Sequence, residues 1–449
     1  MQPTHLDTVL AQLRETLERD DVAAAAAIIE ALRPADQADV FEELADEAQF
    51  ALLPELKPAD SADILEELED EDAAELVASL PTATLIRIVE EMEPDEAADL
   101  LGDLHPSQAA AVLAGLEDPE EVRPLLIHAD DSAGGLMTSD FLALRRRMTA
   151  AEALAALRAW KPDSETIYDL FVVDRFGRLV GVVNLRRLVL AEPDRMVGEL
   201  MDGEVISAPA GTDQEEVAQL MTRYDLLALP VVAADGRLLG IITIDDIVDV
   251  LEEEITEDFQ RLGGALPLER SYLETSVVTI TRKRIGWLLL LLVAGTLTAS
   301  VMRLFQEELE DVVALAVFVP LLIGAGGNAG SQTTSTIIRA LAVDDVTWRD
   351  GLRVLWHEAR AGILMGLGMG LVAYLRAITW DSGASLAAAV AISIGAIIVW
   401  ATSLGSLLPL IAARLKVDPT VVSGPAMSTL VDATGLFIYF SVARAVLGL

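Results

Sequence analysis

Long apolar segments in the last third of the chain limit its fold more than any other feature. They begin at Ile285 and lie at roughly 285–304, 312–341, 357–378, 384–413 and 420–446. Each is long enough for a helix that spans about 30 Å of hydrocarbon. In lipid, the backbone polar groups of such a segment must be satisfied internally, which a helix achieves. The sequence therefore predicts an α-helical transmembrane domain over residues 276–449, with about five spans.

Charged residues between these segments indicate the orientation of the domain. Basic residues precede the first, third and fifth segments: Arg282, Lys283 and Arg284, then Arg349 and Arg353, then Arg414 and Lys416. The loop QEELED between the first two segments is acidic. Because Lys and Arg are retained on the cytoplasmic side of membranes, we predict a cytoplasmic N-terminus and an external C-terminus. The first 20 residues lack a basic region followed by a short apolar run, so no signal peptide is expected.

Acidic residues are concentrated before the membrane domain. Of the 72 Asp and Glu, 61 lie in residues 1–276, together with 20 of the 32 Lys and Arg, so the formal net charge of −40 belongs to this part. A surface this acidic repels nucleic acid and anionic headgroups and concentrates cations. The chain has no cysteine, which excludes disulfides and thiolate metal sites. No hydrolytic or transfer motif is present, so we predict no catalytic residue and no enzyme activity.

Residues 30–130 contain a helical repeat. The copies are LRPADQADVFEEL from Leu32, LKPADSADILEEL from Leu56, LEDEDAAELVASL from Leu68, MEPDEAADLLGDL from Met92 and LHPSQAAAVLAGL from Leu104. Each copy has Pro or an acid at a helix start and apolar residues at i, i+3, i+4 and i+7. Short helices that recur at 12 or 24 residues stack on their neighbours, so residues 1–130 are predicted to form an acidic α-solenoid.

A different pattern starts near Gly134. Short β-branched runs bounded by turn residues alternate with helical periodicity in two copies, which contain FGRLVGVVNLRRLVL and DGRLLGIITIDDIVDVL. Over residues 134–252 they resemble a tandem pair of cystathionine-β-synthase (CBS) domains, a regulatory α/β module, and we predict this domain at 131–250. The acidic helix VLEEEITEDFQRLGG follows and ends at Gly263 and Gly264. Residues 251–275 are therefore predicted to be a linker, or plug, helix before the membrane domain.

Two membrane segments contain polar residues: PLLIGAGGNAGSQTTSTIIRA from Pro320, and VSGPAMSTLVD at 422–432. Polar groups at this depth are tolerated where they are buried in protein or line a watery cavity. Small residues also serve helix packing, which is our interpretation of the glycines in GILMGLGMGL. Asp432 is different, because an ionised carboxylate at a span centre costs roughly 2.5–3.5 kcal/mol. Its nearest base along the helix is Arg444, about three turns away. We therefore predict that Asp432 lines a pore and faces a cation.

The order of these parts, the motif residues Pro320, Gly327, Asn328, Gly330 and Gln332, and the ending LVDATGL resemble the MgtE family of magnesium channels over nearly the whole chain. The resemblance implies a homodimer with one pore on its two-fold axis, where Asp432 of both copies binds hydrated Mg²⁺. This agrees with the chemistry of Mg²⁺, which sheds water reluctantly and prefers an octahedral shell of oxygens. Gly424 departs from members that have Asn beside the pore, so this chain lacks a side-chain amide there.

The resemblance also implies a Mg²⁺ sensor made of acids in the soluble part. The matching positions are Asp63, Asp95 and Asp99 in the solenoid, Asp213, Glu215, Asp225, Asp246 and Asp249 in the second CBS copy, and Glu254, Glu257 and Asp258 in the linker helix. Asp95 and Asp99 are separated by one helical turn and share a face. Like charges repel in the absence of a cation, so Mg²⁺ bound between these acids should draw the domains together.

The stretch GIITIDD, from Gly240 to Asp246, resembles the signature by which CBS domains hold a nucleotide. The resemblance implies that Thr243 contacts a phosphate of ATP and Asp246 its ribose. The first copy reads GVVNLRR and lacks both residues. One ATP site per chain is therefore predicted, and Asp246 cannot easily serve both nucleotide and metal.

We interpret the chain as a homodimeric Mg²⁺-selective channel of the bacterial inner membrane that imports Mg²⁺ and is closed by cytosolic Mg²⁺, with no nucleic-acid partner. Two alternatives stay open. One is a secondary transporter for Co²⁺, Zn²⁺ or Mn²⁺, against which the absence of membrane Cys and of a His cluster argues. The other is a membrane-tethered Mg²⁺ sensor that does not conduct, which would need neither the polar segment at 324–335 nor Asp432.

Overall fold

The acidic N-terminal part folds as a stack of short helices. The structure, a computed structural model, describes residues 3–160, 168–268, 272–273, 275–343, 345–422 and 424–449. The helices of the stack are α1 (Pro3–Glu18), α2 (Val22–Ile29), α3 (Pro34–Glu42), α4 (Asp46–Leu52), α5 (Pro58–Glu66), α6 (Asp70–Ala78), α7 (Thr82–Val89), α8 (Pro94–Asp103), α9 (Pro106–Leu113) and α10 (Pro119–Val122). Helices α3, α5, α6, α8 and α9 are the five predicted repeats. Because α4 and α7 fill the two gaps between them, the 12-residue repeat is continuous.

Local sequence explains where these helices begin and which face they bury. Proline occupies the first turn of α3, α5, α8 and α9, where its missing N–H costs no helical hydrogen bond. Paired apolar residues in the middle of each helix are buried, such as Val40 and Phe41 in α3 and Ile64 and Leu65 in α5. Helices of two or three turns are marginal alone, so stacking of these apolar faces stabilises the solenoid.

Two small sheets with the same topology follow. The first contains β1 (Leu144–Arg145), β2 (Asp169–Val173) and β3 (Leu179–Asn184), and the second contains β4 (Ala208–Pro209), β5 (Ala228–Val232) and β6 (Leu238–Thr243). In each sheet the first strand pairs in parallel with the second, which pairs antiparallel with the third. The helices of this region are α11 (Ala150–Trp160), α12 (Leu185–Leu190), α13 (Val197–Leu200) and α14 (Gln214–Tyr224). Leu179 N donates to Gly236 O, and Leu238 N to Gly177 O, both at 3.0 Å, so the two copies join at their turns.

The linker helix is longer than the sequence predicts. Helix α15 runs from Ile244 to Leu262, so the same helix also closes the second CBS copy. No Gly or Pro interrupts this stretch, which explains why the helix continues past the predicted start of the linker. The chain divides into two compact units, Met1–Glu252 and Glu253–Leu449, with the boundary inside α15.

Among the described residues, five helices of the second unit are long and apolar enough to cross a membrane. The spans are Val277–Leu304, Ala314–Ala342, Trp348–Thr379, Ala384–Arg414 and Gly424–Leu447. Their helices are α16 (Val277–Leu304), α18 (Ala314–Ala342), α19 (Gly351–Thr379), α20 (Ala384–Arg414) and α21 (Gly424–Leu447), while the acidic loop forms α17 (Gln306–Asp311). The five predicted segments are confirmed. Helices α16 and α19 begin earlier than predicted, because helical hydrogen bonding continues through the charged turns that hydropathy excludes.

Helix α20 is the centre of the membrane bundle, since it packs against α18, α19 and α21. The hydroxyl of Tyr439 on α21 donates to Leu315 O on α18 at 3.0 Å, in a core that also contains Phe318 and Phe440. Helix α16 packs mainly on α21 and has no buried residue. The two polar segments identified in the sequence lie on α18 and α21, and these two helices pack against each other.

Candidate functional site

Asp432 lies on α21, about two turns after its start at Gly424. The residue is half-buried, and its carboxylate forms no hydrogen bond or ion pair with the described part of the chain. Arg444, the nearest base along the helix, contacts Glu308 instead, with Nε and Oε1 3.8 Å apart. Asp432 thus remains an unpaired carboxylate within a membrane span.

A close contact between α18 and α21 positions Asp432 beside α18. A Cβ atom on Gly327 would lie only 3.2 Å from Ser428 Oγ, so glycine permits this approach. The hydroxyls of Ser331 and Ser428 are 3.2 Å apart, and Ser428 precedes Asp432 by one helical turn. Helix α18 is continuous through the Gly-rich segment, so the polar interruption in the sequence is not an interruption of the helix.

One face of α18 is polar and exposed. Its residues are Asn328, Gln332, Ser335, Thr336 and Arg339, which recur at helical spacing. Amide and guanidinium groups are costly against hydrocarbon, where no water satisfies them. This face is therefore suited to a water-filled lumen or to another protein surface rather than to lipid.

An ion pair joins the end of the linker helix to the loop before α21. The guanidinium of Arg261 contacts Glu257 on its own helix and donates from Nη1 to Asp418 Oδ2 at 2.7 Å. Asp418 also accepts from Thr420 N at 2.8 Å, at the start of the short 3₁₀ turn Pro419–Val421. The end of α15 is thereby connected to the segment that leads into the helix of Asp432.

The linker acids lie on the same helix within one turn of each other. Glu254 and Glu257 are half-buried, and Asp258 lies beside Glu257. Burial raises the pKa of Asp258 and the Asp418 carboxylate raises it further, while Arg339 lowers it. A cation near Asp258 and Asp418 would relieve this repulsion.

The turn after α15 requires glycine. Gly264 has φ +77°, and a Cβ atom there would lie 2.5 Å from Trp287 Nε1 on α16. Gly424 also lies close to the linker, because a Cβ atom on it would be 3.7 Å from Ser331 Oγ and 4.0 Å from Leu262 O. Gly424, where some family members have Asn, thus lies between the end of α15 and α18.

A second cluster of acids forms in the first unit, where α8 lies near the start of α15. Asp95 is buried, with 6% of its surface exposed, and its Oδ1 has no hydrogen-bond partner among the described residues. Burial raises its pKa well above the ordinary value, and Asp246, Glu93 and Asp99 raise it further. Burial and neighbouring carboxylates raise the pKa of Glu96 to about 9 and that of Asp99 to about 7. Three predicted sensor residues, Asp95, Asp99 and Asp246, are therefore brought together without a compensating cation.

This acid cluster should make folding pH-dependent. In the unfolded chain Asp and Glu lose their protons near pH 4, whereas Glu96 and Asp99 have folded pKa values of about 9 and about 7. Between these limits the folded chain binds more protons, so the free energy of unfolding of the first unit falls as pH rises. We expect the opening free energy of α8, measured by amide hydrogen exchange without Mg²⁺, to be lower at about pH 8 than at about pH 6.

Paired variants test the origin of that pH dependence. Glu96→Gln with Asp99→Asn should reduce the difference between the two pH values, because the substituted groups no longer titrate. Glu93, whose pKa is raised to about 7 by burial and neighbouring carboxylates, continues to contribute. Glu47→Gln with Glu55→Gln, which neutralises two exposed acids of the same solenoid, should leave it unchanged. Equal opening free energies at both pH values in the unsubstituted protein would contradict the prediction.

Asp63 and Asp249 lie beside a third acid. Asp63 is half-buried on α5, and burial raises the pKa of its carboxyl. Burial raises the pKa of Glu67, and the carboxylates of Asp249, Asp39 and Asp63 raise it further. Asp249 and Asp63 are therefore both close enough to Glu67 for their charges to be felt there.

The remaining sensor candidates, Asp213, Glu215 and Asp225, belong to α14 and its two ends. Asp213 caps α14 by accepting from Glu215 N at 3.0 Å, while Asp225 ends the same helix with φ +52°. The two ends are about 18 Å apart along the axis. Among the described residues, no three His, Cys, Asp or Glu side chains converge to hold one metal ion. These acids thus form diffuse negative surfaces rather than a preformed single-ion cage.

The predicted nucleotide residues of the second CBS copy bond to each other. Thr243 Oγ1 donates to Asp246 Oδ2 at 2.6 Å, and Thr243 N donates to the same oxygen at 3.2 Å. Asp246 also belongs to the acid cluster around Asp95. A polyphosphate placed here would meet carboxylates, although the predicted role of this pair in ATP binding stays a prediction.

The equivalent region of the first CBS copy is an open cavity of about 1000 Å³. Asn184 occupies the position of Thr243 at the end of the third strand, where its side chain accepts from Arg186 N at 3.0 Å. Arg186, Arg187 and Arg195 line the cavity, together with the carboxylates of Asp169, Glu192 and Asp202. This cavity therefore offers guanidinium donors of the kind that bind phosphates, close to a carboxylate that can accept from a hydroxyl.

Comparisons with known proteins agree with this architecture. Family models match at residues 32–131, described as the MgtE intracellular N domain, at 133–194 and 197–253, described as CBS domains, and at 319–442, described as an MgtE divalent cation transporter. The magnesium transporter MgtE of Thermus thermophilus is 45% identical over 338 residues, which cover 75% of each chain. This chain belongs to the MgtE family. The magnesium transporter MgtE of Bacillus subtilis is 36% identical over 335 residues, or 74% of each chain.

A solved MgtE structure matches the soluble part. It is the cytosolic domain of the Mg²⁺ channel MgtE in complex with ATP, at 40% identity and a TM-score of 0.51. The match covers 54% of this chain and 99% of the solved one. The order of solenoid, CBS pair and membrane spans predicted from the sequence is that of an MgtE protein.

Sequence reasoning missed several residues of this MgtE chain. Glu358, near the start of α19, accepts from the hydroxyl of the buried Thr333 at 3.2 Å. Arg261 and Asp418 are 157 residues apart in the chain, so their ion pair gives no local signal. Two arginines of the first CBS copy lie in GVVNLRR, a motif that lacks the Thr and Asp of the nucleotide signature. A search for basic residues at the end of each third strand would have found them.

Proposed function

We propose that this chain forms a homodimeric, Mg²⁺-selective channel that imports Mg²⁺ across the bacterial inner membrane. The observation that carries the proposal is Asp432, a half-buried carboxylate in a membrane span with no partner in the described part of the chain. A permeating cation is the partner that such a carboxylate lacks. The family to which the chain belongs is described as divalent cation transporters, which supports this reading.

A second copy of the chain would complete the ion site. Mg²⁺ takes six oxygens and keeps several waters, so one carboxylate per chain is insufficient, whereas two can hold the hydrated ion between them. The exposed polar face of α18, which includes Asn328 and Gln332, lies next to the helix of Asp432. Two such faces related by a two-fold axis would enclose a polar lumen and hide these groups from lipid.

The distribution of basic residues supports the proposed orientation. Arg282 near the start of α16, Arg349 before α19 and Arg414 at the end of α20 would lie on the cytoplasmic side. The N-terminal domains are then cytoplasmic and the C-terminus is external. We propose the domain limits 1–130, 131–250, 251–275 and 276–449 for the solenoid, CBS pair, linker and pore domain.

Cytosolic Mg²⁺ would close this channel through the acids of the soluble part. Repulsion among Asp95, Asp99 and Asp246 raises the free energy of this cluster, and a divalent cation bound there would lower it. Helix α15 can transmit the change, because it begins beside Asp246 and ends at Arg261, which is bonded to Asp418. Several weak sites acting together can supply a shift that one weak site cannot.

Ion flux into liposomes tests the proposal against its alternatives. Purified protein should pass Mg²⁺ down its gradient without a proton or sodium gradient, and should pass Mg²⁺ faster than Co²⁺, Zn²⁺ or Mn²⁺. Flux that requires a counter-ion gradient would favour the secondary transporter. The absence of flux for every divalent ion would favour the non-conducting sensor.

We also propose that the chain binds ATP, in the cavity of the first CBS copy rather than at Thr243 and Asp246. The ATP complex of a similar MgtE cytosolic domain supports nucleotide binding in general terms. The location rests on guanidinium donors: Arg186, Arg187 and Arg195 line the first cavity, beside the carboxylates of Asp169, Glu192 and Asp202. The second position is instead acidic, and repels phosphate.

Substitution of the cavity arginines should weaken ATP binding. Arg186→Ala with Arg187→Ala removes two charge-assisted contacts of roughly 1.5–3 kcal/mol each, so the dissociation constant should rise at least tenfold. Calorimetry with the full-length protein measures this change. Arg147→Ala with Arg158→Ala, which removes two exposed charges from the same CBS copy, is the matched control. A tenfold loss on Thr243→Ala, with no loss in the arginine variant, would instead assign ATP to the second copy.

A further inference from the structure

A groove on the outside of the membrane bundle takes no part in the proposed pore. It lies between α19 and α20 and has a volume of about 810 Å³. Its walls are apolar: Ile363, Leu367 and Leu371 stand on α19, and Val399 and Trp400 stand on α20. The wall residues of α19 are exposed, so the groove opens to the surface of the bundle.

The groove exists because its floor has no side chains. A Cβ atom on Gly366 would lie 2.9 Å from Gly395 O, and one on Gly370 would lie 2.9 Å from Ala391 O. The two backbones therefore nearly touch, while larger residues rise on both sides. Along α19 the groove extends from Ile363 to Tyr374, which is about 16 Å. This length is roughly half of the hydrocarbon thickness, which is the depth of one leaflet.

Basic and aromatic side chains continue the groove toward the N-terminus of α19. Arg353, Trp356 and Arg360 follow one another at helical spacing and lie on the stripe that leads to Ile363. Arg360 Nε lies 3.4 Å from Trp356 O, and its guanidinium lies 6.0 Å from the centre of the Trp356 ring, which is 64% exposed. The Arg360 side chain thus bends toward the end of the span, as a snorkelling arginine does.

Arg360 has no counter-charge among the described residues, whereas Arg353 lies within electrostatic reach of the Asp350 carboxylate. Within the described residues, neither Arg353 nor Arg360 forms an ion pair, and the one titratable contact of Arg360 is to His357 Nδ1 at 3.5 Å. Exposed arginines beside an interfacial tryptophan, next to an apolar groove one leaflet deep, match the two ends of an anionic phospholipid. The phosphate would lie between the arginines and an acyl chain would lie in the groove.

We propose that this groove is a binding site for an anionic phospholipid. A second copy of the chain is a poorer occupant, because two-fold symmetry about the membrane normal would bring the arginines of both copies to the same depth and close together. A lipid phosphate instead compensates these charges. In the proposed orientation the lipid belongs to the cytoplasmic leaflet, where anionic lipids attract basic residues.

The bound lipid would contact the pore helix from its outer side. Trp400, in the groove wall, donates from Nε1 to Thr434 Oγ1 on α21 at 2.9 Å, and Ile438 of α21 also lines the groove. Thr434 follows Asp432 by two residues. Occupancy of the groove should therefore stabilise the position of α21, and Mg²⁺ flux should increase with the fraction of anionic lipid in the bilayer. The site itself does not depend on the proposed function, since its binding test measures lipid alone.

Native mass spectrometry of the full-length protein, titrated with dioleoylphosphatidylglycerol or dioleoylphosphatidylcholine, tests the site. Arg360→Gln should lower the affinity for phosphatidylglycerol about fivefold, because an interfacial Arg contributes on the order of 1 kcal/mol. Its matched control is Arg376→Gln, at the opposite end of α19, where Arg376 stacks on Trp380 at 4.3 Å. Ala396→Phe, which fills the groove from an exposed position, should reduce binding of both lipids.

Three outcomes would overturn the proposal. Equal effects of Arg360→Gln and Arg376→Gln would show that phosphatidylglycerol is attracted by charge alone, without a site. Unchanged lipid binding in Ala396→Phe would show that the groove is not occupied by an acyl chain. A change of oligomeric state in Ala396→Phe, with lipid binding intact, would identify the groove as an interface between copies. If Ala396→Phe does not fold, the comparison of the two arginine variants still decides.

Discussion

Asp432→Asn should reduce Mg²⁺ flux by at least about 100-fold in liposomes. In the proposed homodimer the substitution removes both charges that face the ion, and each charge-assisted contact contributes roughly 1.5–3 kcal/mol, so the combined loss exceeds two powers of ten. The shape of the side chain is nearly unchanged, and α21 should pack as before. Flux of each divalent ion, measured at equal protein incorporation, gives the result.

Asp381→Asn is the matched control for this experiment. Asp381 is an exposed carboxylate in the loop between α19 and α20 with φ +59°, a conformation that Asn also tolerates. Its flux should equal that of the unsubstituted protein. Cross-linking should show the same dimer in both variants. If Asp432→Asn conducts Mg²⁺ normally, Asp432 is not the pore ligand, whatever the family resemblance implies.

Neutralising four sensor acids together should produce a channel that stays open at high cytosolic Mg²⁺. The four substitutions are Asp95→Asn, Asp99→Asn, Glu257→Gln and Asp258→Asn. They remove the carboxylates that Mg²⁺ would bridge, so Mg²⁺ no longer stabilises the closed arrangement relative to the open one. Moving an equilibrium from 1:99 to 99:1 takes about 5.5 kcal/mol, which is why single substitutions should shift the closing concentration only modestly. Single-channel recording at increasing cytosolic Mg²⁺ measures the open probability.

A variant with the same change of net charge separates sensing from bulk electrostatics. Glu47→Gln, Glu55→Gln, Asp194→Asn and Glu204→Gln neutralise four exposed acids of the soluble part outside the proposed sensor. This control should close at the same Mg²⁺ concentration as the unsubstituted channel. Protease cleavage around α15 should become slower on addition of Mg²⁺ in the control and change little in the sensor variant. Closure of the sensor variant by Mg²⁺ at the normal concentration would refute the gating mechanism.

The prediction of the fold was accurate where the signal is local. The 12-residue spacing of the solenoid identified five of its helices. The same spacing, continued through the two gaps, gives the positions of α4 and α7. The boundaries of α15 and α19 were less accurate, since hydropathy registers which residues enter lipid and not where helical hydrogen bonds stop. Glycines such as Gly366 were correctly assigned to packing, although the groove that they create could not be foreseen.

The candidate sites, like the fold, could be predicted from the sequence only where their signal is local. Asp432 could be predicted as a candidate without a structure, because a single carboxylate in an apolar segment is evident from the sequence. The sensor acids could not be sorted in this way, because only packing showed that Asp95 is buried beside Asp246 while Asp225 ends α14. Thr243 matched a nucleotide signature, yet its hydroxyl donates to Asp246. The arginine-lined cavity belongs instead to the copy that lacks the signature.

By itself, the sequence determined the class of this protein: five apolar spans, an acidic soluble part, a CBS pair and one carboxylate, Asp432, in the middle of a span. These follow from hydrophobic periodicity, charge and turn residues, which act over a few neighbouring positions and are readable from them. Tertiary structure decided which acids repel each other, that three arginines line a cavity in the first CBS copy, how Arg261 reaches Asp418, and that an apolar groove opens between α19 and α20. Each of these depends on distances between residues far apart in the chain, because desolvation and Coulomb interaction are set by the surroundings that packing creates.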